Sequence, residues 1–306
     1  MVAETNLSVS NLIFPLFLED ENSAKIEINS MPGIFRYGES ELFAEVESCL
    51  ELGINSFVLF PSVKEEYKTD DAAYAVSDEN YYLKRILALK EKFPSITLMS
   101  DVALDPYSSH GQDGLVKNGK ILNDETVEIL SEMSVLQAQA GIDIIGPSDM
   151  MDGRVGAIRL NLDVNGYEDV SIMSYTAKYA SAFYGPFRDA LDSAPKGGDK
   201  KTYQMNPSNK REALLEAQLD FEEGADFLMV KPALSYLDII SDLSMNFDIP
   251  IAAYNVSGEY AMVKAAAEKG WINSDAIMHE ILLSIRRAGA TSILTYFAKE
   301  FAIKNS

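Results

Sequence analysis

Two lysines, Lys178 and Lys231, each close a short apolar run, SIMSYTAK at 171–178 and FLMVKP at 227–232. A single lysine in such a place is ordinarily a solvated loop residue. Two at one mouth are different, because partial desolvation and each other's charge lower an amine's pKa and make it a nucleophile toward a ketone. Two such amines imply two carbonyl substrates. Other run ends are polar as well: Asp101 and Asp105, Ser148 and Asp149, Gln204, Tyr254 and Ser257, and Tyr296. Purely structural ends would be served by Gly, Asn and Ser turns, so this collection favours chemistry.

The elements that must position these groups follow a strand-then-helix period. Apolar runs stand at 54–61, 95–104, 141–148, 170–178, 201–207, 226–233, 250–258 and 291–298. Between most of them lie stretches such as ETVEILSEMSVLQAQAG and KREALLEAQLDFEEG, apolar at i, i+3, i+4 and i+7 and ending in a capping Gly. Eight such units predict an α/β fold, a closed (β/α)₈ TIM barrel spanning 33–306, preceded by a short packed extension at 1–32. An open doubly wound sheet is the alternative, disfavoured because no G-x-G-x-x-G follows the first strand. The stretch YGPFRDALDSAPKGGDKKT, 184–202, is long, charged and Gly-rich, and reads as a lid over the functional face.

The chain has 306 residues, 47% of them hydrophobic, and a formal net charge of −21. That length buries a large core, while the acidity argues against nucleic-acid or anionic-membrane partners. Cys49 is the only cysteine, which excludes a disulfide framework and a thiolate zinc cluster. No signal peptide or bilayer-length apolar run is evident, so the expected address is cytoplasmic, or plastid after removal of a transit peptide. His279 reads as a helix residue, and Trp271 as packed against a helix.

The segments MSYTAKYASAFYGPFRDA, KTYQMNP, LMVKPALSYLDII, YNVSGEYAMVKAAA and GPSDMMDGRVGAIR resemble, in order, the signature segments of the porphobilinogen synthase (5-aminolevulinate dehydratase) family. The resemblance runs from about Leu12 to Phe301. It implies a (β/α)₈ barrel that condenses two 5-aminolevulinate molecules to porphobilinogen with loss of two waters. By the same resemblance, Lys231 forms a Schiff base with the propionyl-side substrate and Lys178 with the acetyl-side one. Arg188, Lys200 and Gln204 form the acetyl-side carboxylate clamp, Ser257 and Tyr296 serve the propionyl-side carboxylate, Tyr254 also binds substrate, and Asp101 with Ser148 manages an amino group and protons.

Zinc-type members of the family place cysteines where this chain has Ala103, Asp105 and Asp113, so the resemblance implies no zinc and a magnesium-responsive or metal-free class. Glu216 resembles the ligand of an allosteric magnesium, and Asp105 and Asp113 are candidates for a hard cation. The chain departs from the family pattern at Gln112, where histidine is common, and in lacking most of a basic arm before Leu12. The implied partner is a second copy of the chain, in a homo-oligomer expected to be a dimer or other small assembly. Two other readings stay in view: a class I barrel aldolase with a single lysine, and a catalytically weak homologue.

Overall fold

A computed structural model describes residues 2–191 and 196–305. Residues 192–195 of the expected lid lie outside the described residues. Eight parallel strands form the barrel, labelled in chain order β1 (Leu12–Leu18), β2 (Ser56–Pro61), β3 (Thr97–Met99), β4 (Ile144–Ile145), β5 (Ser171–Lys178), β6 (Phe227–Lys231), β7 (Ile251–Asn255) and β8 (Ser292–Thr295). Each pairs with its neighbour, and β8 returns to β1 through Leu12↔Ile293, so the sheet closes.

The count of eight holds, but one member differs from the sequence reading. Leu12–Leu18, assigned there to the extension, is the first barrel strand, and all seven residues are buried. Pro15 lacks an N–H and argues against a central strand on sequence alone. The run at 201–207 is instead a turn that lengthens β5 through a lone bridge between Tyr179 and Met205. Pro207 removes the donor that a further rung would need, and Met205 alone of the run bonds to the end of β5 through its backbone, its N–H reaching Lys178 O at 3.0 Å and its carbonyl accepting from Ala180 at 2.8 Å.

Ten helices among the described residues surround the barrel: α1 (Glu39–Glu51), α2 (Tyr81–Lys92), α3 (Asn123–Gln139), α4 (Arg154–Val164), α5 (Gly185–Leu191), α6 (Arg211–Glu222), α7 (Leu237–Asn246), α8 (Ser257–Glu268), α9 (Ser274–Ala288) and α10 (Ala298–Asn305). Their apolar stripes face the strands, as in α9, where Met278, Ile281, Leu282 and Ile285 are buried. Asn80 and Asn273 cap α2 and α9 by accepting from Tyr82 and Ala276 amides. Cys49 is buried on α1, and burial pushes its thiol up to about 12, so it is unreactive. No helix among the described residues is long and apolar enough to cross a membrane.

Candidate active site

Adjacent strands β5 and β6 end in register, Lys178 opposite Lys231, which sets the two ammonium-bearing side chains side by side at the C-terminal mouth. Lys231 Nζ lies among four rings, 4.7 Å from the centroid of Tyr254, 5.0 Å from Phe187, 5.1 Å from Tyr175 and 5.3 Å from Tyr184. Burial first, and the charge of Lys178 second, lower its pKa to about 7. A share of this amine is therefore unprotonated near neutrality. The same rings favour positive charge at their faces, so an iminium formed there is better accommodated than in a plain apolar pocket.

Lys178 is held differently. Its Nζ lies 3.3 Å from Asp113 Oδ2 and donates to the Ser148 carbonyl. Lys200 Nζ completes the cluster at 2.5 Å from Asp113 and 3.2 Å from Asp105. Burial penalises both partners, but their attraction outweighs it: Asp113 ends below the ordinary carboxylate range and Lys200 above the ordinary lysine value. The pair of aspartates read as a hard-cation site thus faces ammonium groups instead, and a dication there would have to displace Lys200. Among the described residues no group of three or more His, Cys, Asp or Glu side chains is arranged to hold a metal ion.

Asp101, at the end of β3, is pushed up to about 7, chiefly by burial and then by Asp105, against a hydrogen bond with the Ser148 side chain. It is a carboxyl poised to give or take a proton at neutral pH. Tyr254 and Tyr296, from β7 and just beyond β8, share a hydrogen bond of 2.8 Å. Ser257 Oγ accepts from the Phe187 amide at 3.0 Å and so ties α5 over Lys231. Gly258 makes that approach feasible, since a Cβ there would stand 2.5 Å from the Phe183 carbonyl. Arg188 is half-buried on the same α5, and Gln204 is buried in the turn after Lys200.

Several residues that shape the site escaped the sequence reading. Glu259 accepts from the Leu234 amide (2.8 Å), Asn255 Nδ2 (2.8 Å) and the Val256 amide (2.9 Å), bracing the loops that follow β6 and β7. Its signal was a glutamate inside an apolar helix, three residues after the cap. Arg154 lies buried on α4, its guanidinium 3.2 Å from both Asp220 and Ser174 Oγ, with Nε 3.6 Å from Asp149. Burial, offset by Arg154 and the Met151 amide, pushes Asp149 up to about 6. Tyr184 Oη, donating to Tyr179 O at 2.8 Å and Lys231 O at 3.2 Å, fastens the roof.

A cavity of about 1230 Å³ has neither Lys178 nor Lys231 in its lining. It lies beside the mouth, between 196–203, the loop 150–153 with the start of α4, and the face of α6 that carries Glu212, Glu216 and Asp220, with Glu223 just beyond the helix. Burial, then Asp220, raises the pKa of Glu216.

The profile of the family described as delta-aminolevulinic acid dehydratase matches residues 1–304. The chloroplastic delta-aminolevulinic acid dehydratase of Hordeum vulgare is 56% identical over 299 residues, covering 97% of this chain and 70% of that protein. The delta-aminolevulinic acid dehydratase of Chlamydia pneumoniae is 49% identical over 298 residues, covering 97% and 90%. A crystal structure of the Toxoplasma gondii ME49 delta-aminolevulinic acid dehydratase (porphobilinogen synthase), in complex with the reaction product porphobilinogen, agrees with a TM-score of 0.97 at 52% identity, covering 99% of this chain and 87% of that one. On a match along nearly its whole length and a barrel that superposes as closely as this, the chain belongs to the delta-aminolevulinic acid dehydratase family.

Proposed function

We propose that Lys231 and Lys178 are the two imine-forming amines of the family's reaction, the condensation of two 5-aminolevulinate molecules to porphobilinogen in tetrapyrrole biosynthesis. The observation that carries this assignment is the in-register pair, with Lys231 at a pKa of about 7 inside its ring cage. Each amine adds to a substrate ketone and releases one water, which accounts for both waters lost. Removal of a proton beside the Lys178 iminium gives an enamine, and its carbon attacks the Lys231 iminium carbon to form the carbon–carbon bond. Lys231 then leaves as an amine. The free amino group of the propionyl-side substrate attacks the other iminium carbon and expels Lys178, and loss of ring protons completes the product.

Asp101 serves this sequence as the proton carrier, because a carboxyl near pH 7 matches both the protonation of leaving hydroxyl and the deprotonation of carbon. Ser148 orients it. The clamp of Arg188, Lys200 and Gln204 receives the acetyl-side carboxylate, with Lys200 exchanging an aspartate for it. Ser257, Tyr254 and Tyr296 receive the other carboxylate once α5 gives up the Ser257 hydroxyl. Borohydride added with 5-aminolevulinate tests the assignment: peptide mapping should find the reduced adduct on Lys231, and Lys178→Met should keep that adduct while forming no product. Product formation by a Lys231→Met variant would overturn it.

For metal, the chemistry of the α6 face supports magnesium at Glu216, a half-buried carboxylate whose pKa is raised first by burial and then by Asp220, in a cavity roomy enough for a hydrated ion. Its contribution there would be electrostatic and outside the reacting centre. A homo-oligomer is supported by exposed apolar side chains on the adjacent helices α4 and α6, among them Val164 and Leu215. Relatives named as chloroplastic support the plastid address over the cytoplasmic one.

A further inference from the structure

Gln112 is buried, and its primary amide is used at both ends. Oε1 accepts from Tyr203 Oη at 2.6 Å, while Nε2 donates to Gly197 O at 3.2 Å and to Asp199 O at 3.4 Å. Tyr203 Oη in turn accepts from the Asp113 amide at 3.1 Å. A second tie lies alongside, the Lys196 amide donating to His110 O at 3.1 Å. The segment 196–203 is thereby fastened to 110–113, and between these ties stands Lys200 on Asp113, the carboxylate that also faces Lys178.

We propose that Gln112 is a positioning residue that pins the 196–203 turn over the mouth, so that Lys200 meets the substrate carboxylate from a fixed place. The proposal rests on the reaction assigned above and adds to it a residue that touches no reacting atom. Its chemistry explains why an amide suits the position. One group must accept from a phenol and donate to two backbone carbonyls at once, and a neutral primary amide has the two N–H bonds and the carbonyl oxygen for this. Glutamate keeps the acceptor but turns an anion toward Gly197 O and Asp199 O. Alanine loses every tie.

Three measurements on the full-length protein test the pin. Gln112→Ala should raise KM for 5-aminolevulinate about tenfold while kcat falls less than about threefold, in line with the loss of neutral hydrogen bonds. Gln112→Glu should be impaired at least as much despite its matching shape. Trypsin should cut after Lys196, Lys200 and Lys201 about tenfold faster in both variants, with cleavage elsewhere unchanged. A Gln112→Ala variant with wild-type KM and wild-type cleavage at these lysines would overturn the proposal, as would faster cleavage spread evenly over the chain, which would make Gln112 merely structural. The trypsin arm needs no turnover, so a wild-type protein that formed no porphobilinogen would sink the reaction assignment and leave the pin still under test.

Discussion

At the scale of residues, one fact organises the chemistry: Asp101 and Lys231 both ionise near 7, for different dominant partners but the same leading cause, burial. Below that pH the pair is a carboxylic acid and an ammonium, which has no nucleophile. Above it the pair is a carboxylate and an amine, which has no acid. The dependence of kcat/KM on pH should therefore be a narrow bell centred near 7, and Asp101→Asn should lower kcat and remove the alkaline limb while leaving the acid one. The lysine also carries a stability cost of known sign. Its folded pKa lies below the unfolded value, so between about pH 7 and pH 10 the unfolded chain holds the extra proton and wild-type stability rises with pH. Lys231→Met should abolish turnover, lose that slope, and unfold at higher urea than wild type at pH 7. A variant less stable than wild type there would contradict the burial of a costly ammonium.

At the scale of elements, the site depends on braces between neighbouring units. Arg154 joins α4 to α6 and β5, and Asp220 also accepts from Ser174 Oγ at 2.6 Å and Thr176 Oγ1 at 2.8 Å. Arg154→Ala would leave Asp149 and Asp220 buried without their cation, so a loss of about 3 to 5 kcal/mol in urea-unfolding free energy is expected. Gly258→Ala should act on function instead, forcing 183–187 off α8 and lowering kcat/KM by about a hundredfold with little change in unfolding midpoint. How much of this was legible follows the range of each signal. Lys178 and Lys231 announce themselves because local apolar runs end on them, and the barrel because its period is local too. The identity of the first strand was not readable, since Pro15 imitates an edge and only closure against β8 makes it central. The Arg154 network and the Gln112 to Tyr203 bond were hidden for the same reason, their partners lying far along the chain. Trp271, expected to pack, is 75% exposed, because nothing in a single helix says which neighbour it lacks.

At the scale of the molecule, the acidic residues lining the cavity beside the mouth are where a response to cations is to be tested. Magnesium should raise activity through Glu216, and Glu216→Gln should abolish that response while retaining basal turnover, measured as porphobilinogen formed across a magnesium titration. Dialysis against a chelator selective for soft metals should leave activity intact, since Ala103, Asp105 and Asp113 offer no thiolate. The pairing of β1 with β8 has a further bearing, on how the protein is made. Asn11 Nδ2 reaches Thr291 O across 280 residues of chain, alongside the Leu12↔Ile293 register. Seven strands emerging from a ribosome hold two raw sheet edges until the eighth is released, so the nascent polypeptide spends most of its synthesis as an open, edge-exposed arc. Ring closure is then expected to be a late, high-contact-order event, and the open arc of nascent chain should be more prone to edge-to-edge association than the closed barrel.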